Sequence, residues 1–491
     1  MLDIVFINPG DKKEIYQDLK DLSAYEPPFL IASFASFLRN KGYKVAIIDS
    51  NVENLSPKET AEKVKELNPK LVAVIVYGNQ PSASTQTMTI AGKICTELKK
   101  ENLLVSIGGL HPSALPEKTL IEEDVDFAIE GEEQIPLIEL LEYLNKKREL
   151  KDVRGIWYYE DKKIKNNSKP PLISNLDEYL PIAAWDLLPM EKYKAHNWHC
   201  FDNLDNRSYG AIYTSLGCPY RCSFCCINAP FGKPGIRYRS PELIVKELEI
   251  LATKYKVKNI KIIDEMFVLD ERHYMKIVDL LIEKNLNLNI WAYARVDTIK
   301  KETLKKMKKA GFNWLCLGIE SASEFVRDGA KKKLRFKDIE QVVKDIRNEG
   351  IRVLANYIFG LWDDNFETME ETLNFAKKLN TEFANFYSVM AYPGSELYNF
   401  AIKNNLKLPK KWSDYSQHSP YQIPLATKYL SPIEVLKFRN YGWKCYFENP
   451  KYHKMIEETF SDKVLEHIYY MTNKKLFRDY EYIKKELNDK R

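Results

Sequence analysis

Two runs in which short apolar segments alternate with amphipathic helical stretches constrain the fold of this chain more than anything else in it. In residues 1–150, strands are expected at 3–7 (DIVFI), 45–49 (VAIID), 71–76 (LVAVIV), 104–109 (LVSIGG) and 125–129 (VDFAI), with helices at 30–41, 57–67, 85–100 and 134–147. Buried β-branched strands separated by helices read as a doubly wound parallel sheet. Ligands of such sheets bind at the carboxyl ends of the strands. The loops NPG, YGNQPSAS, GGLHP and EGEE stand there, where glycines allow close backbone approach. From Tyr209 the alternation resumes, with strands expected at 209–216, 260–264, 290–295, 314–320, 353–360 and 384–389. Six successive β–helix units curl into a full or partial barrel, with active-site loops at the strand carboxyl ends.

The remaining segments differ in character. Residues 151–205 contain a hairpin turning at Glu160–Lys163 and then a proline-bearing connector, and are expected to link the two units. The second unit is expected over 206–404. The tail, 405–491, is helical in pattern, with Ser431 placed as an N-cap and Pro432 in the first turn. The fold class is therefore α/β: a Rossmann-like sheet domain, a partial six-unit barrel and a helical C-terminal region.

The chain has 491 residues and a formal charge of +5, with both signs interspersed, so no face basic enough for nucleic acid is expected. The start lacks a basic signal-peptide region, and no apolar run approaches the ~18 residues of a membrane span. A cytoplasmic location follows as the expectation, in which thiols stay reduced. Clustered cysteines there point to metal binding or catalysis rather than disulfides.

Four of the eight cysteines lie within LGCPYRCSFCCINAP (216–230), directly after the first barrel strand. Cys218, Cys222 and Cys225 are spaced Cys-x3-Cys-x2-Cys on a loop that Gly217 and Pro219 can bend. A structural zinc site wants four protein ligands, and an iron–sulfur cube usually takes four cysteines. Three leave one iron open for a substrate or cofactor. Cys226, adjacent to Cys225, is given a structural or tuning role. A zinc knuckle using Cys200, His196 or His199 is the competing account, and Cys95, Cys316 and Cys445 read as packed thiols.

The cysteine spacing, with Phe224 just before the last thiol, resembles the signature of the radical S-adenosylmethionine (SAM) superfamily. Further elements resemble that family in order along the barrel: IDEMF (263–267), LGIESAS (317–323), NYIFGLWDDNFE (356–367) and AYPGSELY (391–398). The resemblance implies a 4Fe–4S cluster on the three cysteines, with SAM on its open iron. It also implies SAM contacts from Phe224, Asp264, Glu320 (to the ribose), Ser321 and Gly360. Arg295 is either a partner of the SAM carboxylate or an ion-pair partner of Asp297 or Asp264. One electron from the reduced cluster would cleave SAM to a 5′-deoxyadenosyl radical, which removes hydrogen from an unactivated carbon. An external electron donor such as flavodoxin or ferredoxin is implied as a partner.

FINPG (6–10), residues 25–49 and SIGGLHPSALPE (106–117) resemble the cobalamin-binding branch of that superfamily. Together the two resemblances cover roughly residues 1–400. They imply cobalamin contacts from Asn8, Pro9, Gly78, Gly108, Gly109 and His111. The chain has no Asp-x-His, the sequence that carries a lower cobalt ligand in many cobalamin proteins, and His111 is not assigned that role. A cobalt without a lower protein ligand favours methyl-radical transfer. The leading expectation is a C-methyltransferase acting on an sp3 carbon of a small molecule. The alternatives are a non-methylating enzyme of the anaerobic porphyrin cyclase type, and an iron–sulfur redox sensor. WSDYSQHSPYQ (412–422) reads either as a substrate mouth or as a surface connector.

Overall fold

The computed structural model describes residues 1–10, 16–78, 83–202, 205–334, 336–474 and 476–489. Residues 11–14 (DKKE) and 79–82 (NQPS), parts of two expected ligand-edge loops, lie outside the described residues.

Among the described residues the first sheet has seven strands: β1 (Leu2–Asn8), β2 (Val45–Asp49), β3 (Pro69–Val76), β4 (Val105–Gly109), β5 (Phe127–Ile129), β6 (Ile156–Glu160) and β7 (Lys163–Asn166). Their spatial order is β2-β1-β3-β4-β5-β6-β7; the first five are parallel and the last two antiparallel. Consecutive β1 residues are buried on opposite faces: Ile4 and Phe6 in one apolar cluster, Val5 and Ile7 in another. Helices therefore cover both sides of the sheet, as a parallel sheet requires. The strand order reverses between β1 and β3, which makes a crevice at their carboxyl ends. The hairpin expected in the linker instead completes this sheet, because Trp157 and Tyr158 pair directly with β5.

The second sheet consists of β8 (Tyr209–Ile212), then, beyond a short ladder of β9 (Ser215–Leu216) with β10 (Arg237–Tyr238), β11 (Asn259–Ile262), β12 (Asn289–Ala294), β13 (Phe312–Glu320), β14 (Arg352–Phe359) and β15 (Phe383–Ser388). The six long strands pair in sequence, all parallel, from β8 to β15. Among the described residues the edges β8 and β15 do not pair, so the barrel is partial. Its amino-terminal end is closed by an asparagine ladder, Asn313 to Asn289 at 3.0 Å and Asn289 to Asn259 at 2.9 Å. Trp198 packs edge-on against Trp291 and Trp314 in the same plug.

The expected cap at Ser431 is present: the Ser431 hydroxyl accepts from the Glu434 amide while the Glu434 carboxylate accepts from Ser431, with Pro432 in the first turn. The helix Pro432–Phe447 lies beside β15, and Tyr446 and Tyr452 donate to the carbonyls of Thr381 (2.7 Å) and Glu382 (3.0 Å). The two sheets are docked by buried polar contacts, among them Lys261 with Glu26 (3.0 Å) and Arg237 with Glu132 (2.8 Å). No helix among the described residues is long and apolar enough to cross a membrane.

Candidate active site between the two sheets

The cysteine loop is shaped by its own backbone. Gly217 sits at φ +90°, and a Cβ there would lie 2.5 Å from the Gly235 carbonyl oxygen, so only glycine fits. Asn228 clamps the start of the bend, accepting from the Cys218 amide (3.3 Å) and donating to the carbonyls of Cys218 (3.1 Å) and Tyr220 (3.4 Å). The Cys225 amide donates to the Cys222 carbonyl at 3.0 Å, and the Leu397 amide to the Ser223 carbonyl at 2.8 Å. The loop is thereby pinned against AYPGSELY.

Cys218, Cys222 and Cys225 line one chamber of about 1070 Å³, together with Phe224, Cys226, Glu265, Arg295 and Glu320. Burial pushes all three thiols up, Cys218 to about 11, while Lys332 and Arg295 draw Cys222 back down. Neutral buried thiols become thiolates when a cation binds them. Among the described residues the thiols are not drawn into a metal-tight set. Three sulfurs facing a single roomy chamber nevertheless fit a cluster that brings its own iron and sulfide.

Glu320 ends β13 at φ +67°, beside a register shift between Gly318 and Glu320. A side chain held there stores on the order of 1–3 kcal/mol of backbone strain. The bend sits where the carboxylate lines the chamber, and there it pairs with Lys332; the two side chains are 9% and 8% exposed. Arg295 donates to both carboxylate oxygens of Asp297 (2.9 and 3.0 Å) and lies 3.9 Å over the Tyr220 ring. The ion pair with Asp297 is thus made, and Arg295 still lines the chamber.

At the switch point of the first sheet, Asn8, Pro9 and Gly78 line a narrow crevice of about 80 Å³. The Asn8 amide is fixed by donation to Asp49 (2.9 Å), which also accepts from Tyr193 (2.8 Å). Tyr16, Glu26, Ala83 and Gln86 line both this crevice and the chamber. The crevice alone is too small for a corrin, and the adjoining chamber supplies the room.

Family models match both halves of the chain: "Radical SAM superfamily" over residues 212–376 and "B12 binding domain" over 21–141. An uncharacterized methyltransferase of Pyrococcus horikoshii is 33% identical over 426 residues, 87% of this chain and 88% of that one. The chain belongs to the cobalamin-binding branch of the radical SAM superfamily. An anaerobic magnesium-protoporphyrin IX monomethyl ester cyclase of Rubrivivax gelatinosus is 26% identical over 403 residues, 80% of this chain and 69% of that one. The fold is that of the radical SAM methyltransferase TsrM of Kitasatospora setae, solved with cobalamin and a 4Fe–4S cluster (TM-score 0.68, 15% identity, 92% and 90% of the two chains).

Several residues expected to touch the cofactors of this radical SAM family member do not line either space. The Asp264 carboxylate is committed to the Thr214 amide (2.6 Å) and to the hydroxyls of Thr214 and Ser215, so its neighbour Glu265 faces the chamber, raised by burial to about 7. Ser321 bonds Thr372 (3.1 Å), and Gly360, at φ +84°, packs against Val435 of the C-terminal helix. A Cβ on Gly109 would lie 2.2 Å from the Val76 carbonyl oxygen, and one on Gly108 3.0 Å from Glu133, so both serve strand packing. His111 is 1% exposed, bonds Thr85 (3.2 Å) and meets Trp412 edge-on at 4.4 Å. Of the zinc alternative, His196 lines the chamber with the thiols, while His199 and Cys200 lie at the amino-terminal end of the barrel beside Asn259 and Asn289.

Lys332, and the ladder of Asn385 to Asn356 (3.0 Å) and Asn356 to the Cys316 sulfur (3.1 Å), line the chamber without a sequence signal. Lys332 sits in a Lys-Lys-Lys run that looks like a solvated surface, and Cys316 looked like a packed thiol. The segment 412–422 is no surface connector: Gln417 and His418 line the chamber, and His418 meets Tyr16 of the first domain at 5.0 Å.

Proposed function

We propose that this protein is a cobalamin-dependent radical SAM C-methyltransferase that acts on an sp3 carbon of a small molecule held in the chamber. The observation that carries this reading is that one chamber is lined both by the three thiols of the barrel loop and by Tyr16, Glu26, Ala83 and Gln86 of the first domain. The names of the Pyrococcus relative and of TsrM agree with it. When bound, a reduced 4Fe–4S cluster supplies the electron for SAM cleavage, and cobalamin carries the methyl group. Cys218, Cys222 and Cys225 would hold the cluster, with Phe224 as an apolar wall beside them. Glu320, oriented by Lys332, would accept from the ribose hydroxyls, and Arg295, oriented by Asp297, would meet the SAM carboxylate. Asp264, Ser321 and Gly360 act one step back, by fixing the backbone of these loops. Asn8, Pro9 and Gly78 would contact the corrin edge, with Gly108, Gly109 and His111 shaping the wall behind them. A cytoplasmic enzyme served by a flavodoxin or ferredoxin completes the reading.

The test is anaerobic reconstitution with iron, sulfide and cobalamin, followed by SAM labelled in its methyl group and dithionite. The reading expects iron near four per chain, cobalt near one, and formation of both 5′-deoxyadenosine and S-adenosylhomocysteine. The Rubrivivax cyclase gives a second reading. It expects 5′-deoxyadenosine with the methyl label never leaving SAM for cobalamin or product. No SAM cleavage at all would leave the redox sensor and sink the proposal.

A further inference from the structure

Charge in the chamber is balanced at the cysteine end and unbalanced at the other. Near the thiols each cation has a carboxylate: Lys332 has Glu320, Lys261 has Glu26, Arg295 has Asp297. Toward the C-terminal helices the chamber is lined by Lys444, paired with Glu448 at 3.8 Å, and by Arg439 and Arg478, which are 8% and 7% exposed. Arg439 donates to the Phe386 carbonyl (2.8 Å) and the Asn440 side-chain oxygen (3.1 Å). Arg478 donates to the carbonyls of Gln417 (2.7 Å) and Ser419, and its buried Nε has no partner among the described residues. All these acceptors are neutral. Among the described residues no carboxylate comes within ion-pairing distance of either guanidinium.

Two buried cations without a counter-ion are expensive, because desolvation is not offset by Coulomb attraction. Here they also repel: burial, and after it the charge of Arg439, pulls Arg478 down to about 9. Burial lowers Arg439 to about 10. The same chamber carries apolar side chains, among them Phe386, Val389, Met390 and Trp443, interspersed with Asn356, Asn385 and Ser388. A purely structural arginine would need only the carbonyls, which an uncharged amide can also bond. The retained double charge asks for an anion delivered with the substrate.

We propose that the substrate carries an oxyanion, a carboxylate or a phosphoryl group, that docks between Arg439 and Arg478, with an apolar body lying against Phe386, Val389, Met390 and Trp443. This rests on the reading above that the chamber is where the substrate binds. Arginine suits the role because its fork of donors matches both oxyanions.

The probes are octanoate, octyl phosphate and neutral octanamide, titrated calorimetrically into the full-length reconstituted protein at fixed ionic strength. At least one anion should bind roughly tenfold or more tighter than octanamide, the span of a charge-assisted hydrogen bond. Which anion wins distinguishes a carboxylate from a phosphoryl substrate. R478Q should cut that preference at least about fivefold, and R478K should recover part of it. The proposal is overturned if octanamide binds wild-type protein as tightly as both anions, or if the preference survives in R439Q/R478Q. The wild-type titration alone decides the matter should a variant fail to fold. Absence of SAM cleavage alongside an intact anion preference would sink the methyltransferase reading and leave the anion site standing.

Discussion

Glu320 and Lys332 are held together where water barely reaches, so neither can lose the other cheaply. Glu320→Gln should destabilise the fold by about 3–5 kcal/mol, since it leaves Lys332 charged and buried without its carboxylate. The double variant E320Q/K332M should regain much of that loss, as a denaturant-unfolding cycle would show. His199 makes a separate point. Neither ring nitrogen has a partner among the described residues, and burial holds its pKa down to about 3. Unfolded, it would titrate near ~6.5. The neutral ring therefore contributes stability above pH 6.5 that is lost as pH falls toward 3. His199→Phe should flatten that loss: the gap in urea midpoint between pH 7 and pH 4.5 should shrink relative to wild type. At this scale, spacing singled out the three cysteines and the family resemblance singled out Glu320, and all four line one chamber. The sequence is mute where two adjacent carboxylates end a strand: nothing in IDEMF says that Asp264 turns to Thr214 and leaves Glu265 to the chamber. Nor can a lysine run announce that its middle member is buried.

Among the elements, the cysteine loop is the one whose geometry depends on a single residue. Gly217→Ala places a methyl group on the Gly235 carbonyl at a backbone angle alanine resists. Circular dichroism should stay close to wild type, while iron retained after reconstitution should fall severalfold. A variant that kept its full iron would show that the loop tolerates a different bend. The strands were the most legible elements, because buried β-branched runs leave little choice of conformation; β2 was expected at 45–49 and is found there. The run expected as one strand over 209–216 is broken at Tyr213 and Thr214, because Asp264 draws the Thr214 amide out of the ladder. The hairpin at 156–166 read as linker because its exposed polar face carries no mark of the sheet it extends.

For the whole molecule, the docking of the two sheets is the quantity that matters. Glu26→Gln removes the buried ion pair with Lys261 and should weaken docking by about 3 kcal/mol. Limited proteolysis should then cut within 167–205 faster than in wild type, with each unit's secondary structure retained. The two-unit plan could be read from the alternation of apolar runs. The joint space between the units could not, because it arises from side chains far apart in sequence, such as Tyr16 and His418.

Tyr16, Glu26, Ala83 and Gln86 belong to the walls of two compartments at once. Whatever fills one compartment leans on the same four side chains that greet the occupant of the other. Thermodynamic linkage then demands symmetry: if cobalamin changes the dissociation constant of SAM by some factor, SAM must change that of cobalamin by the same factor. Paired titrations, each in the presence and absence of the second ligand, should return equal ratios different from one, and mutating Gln86 to alanine should bring both back toward one together.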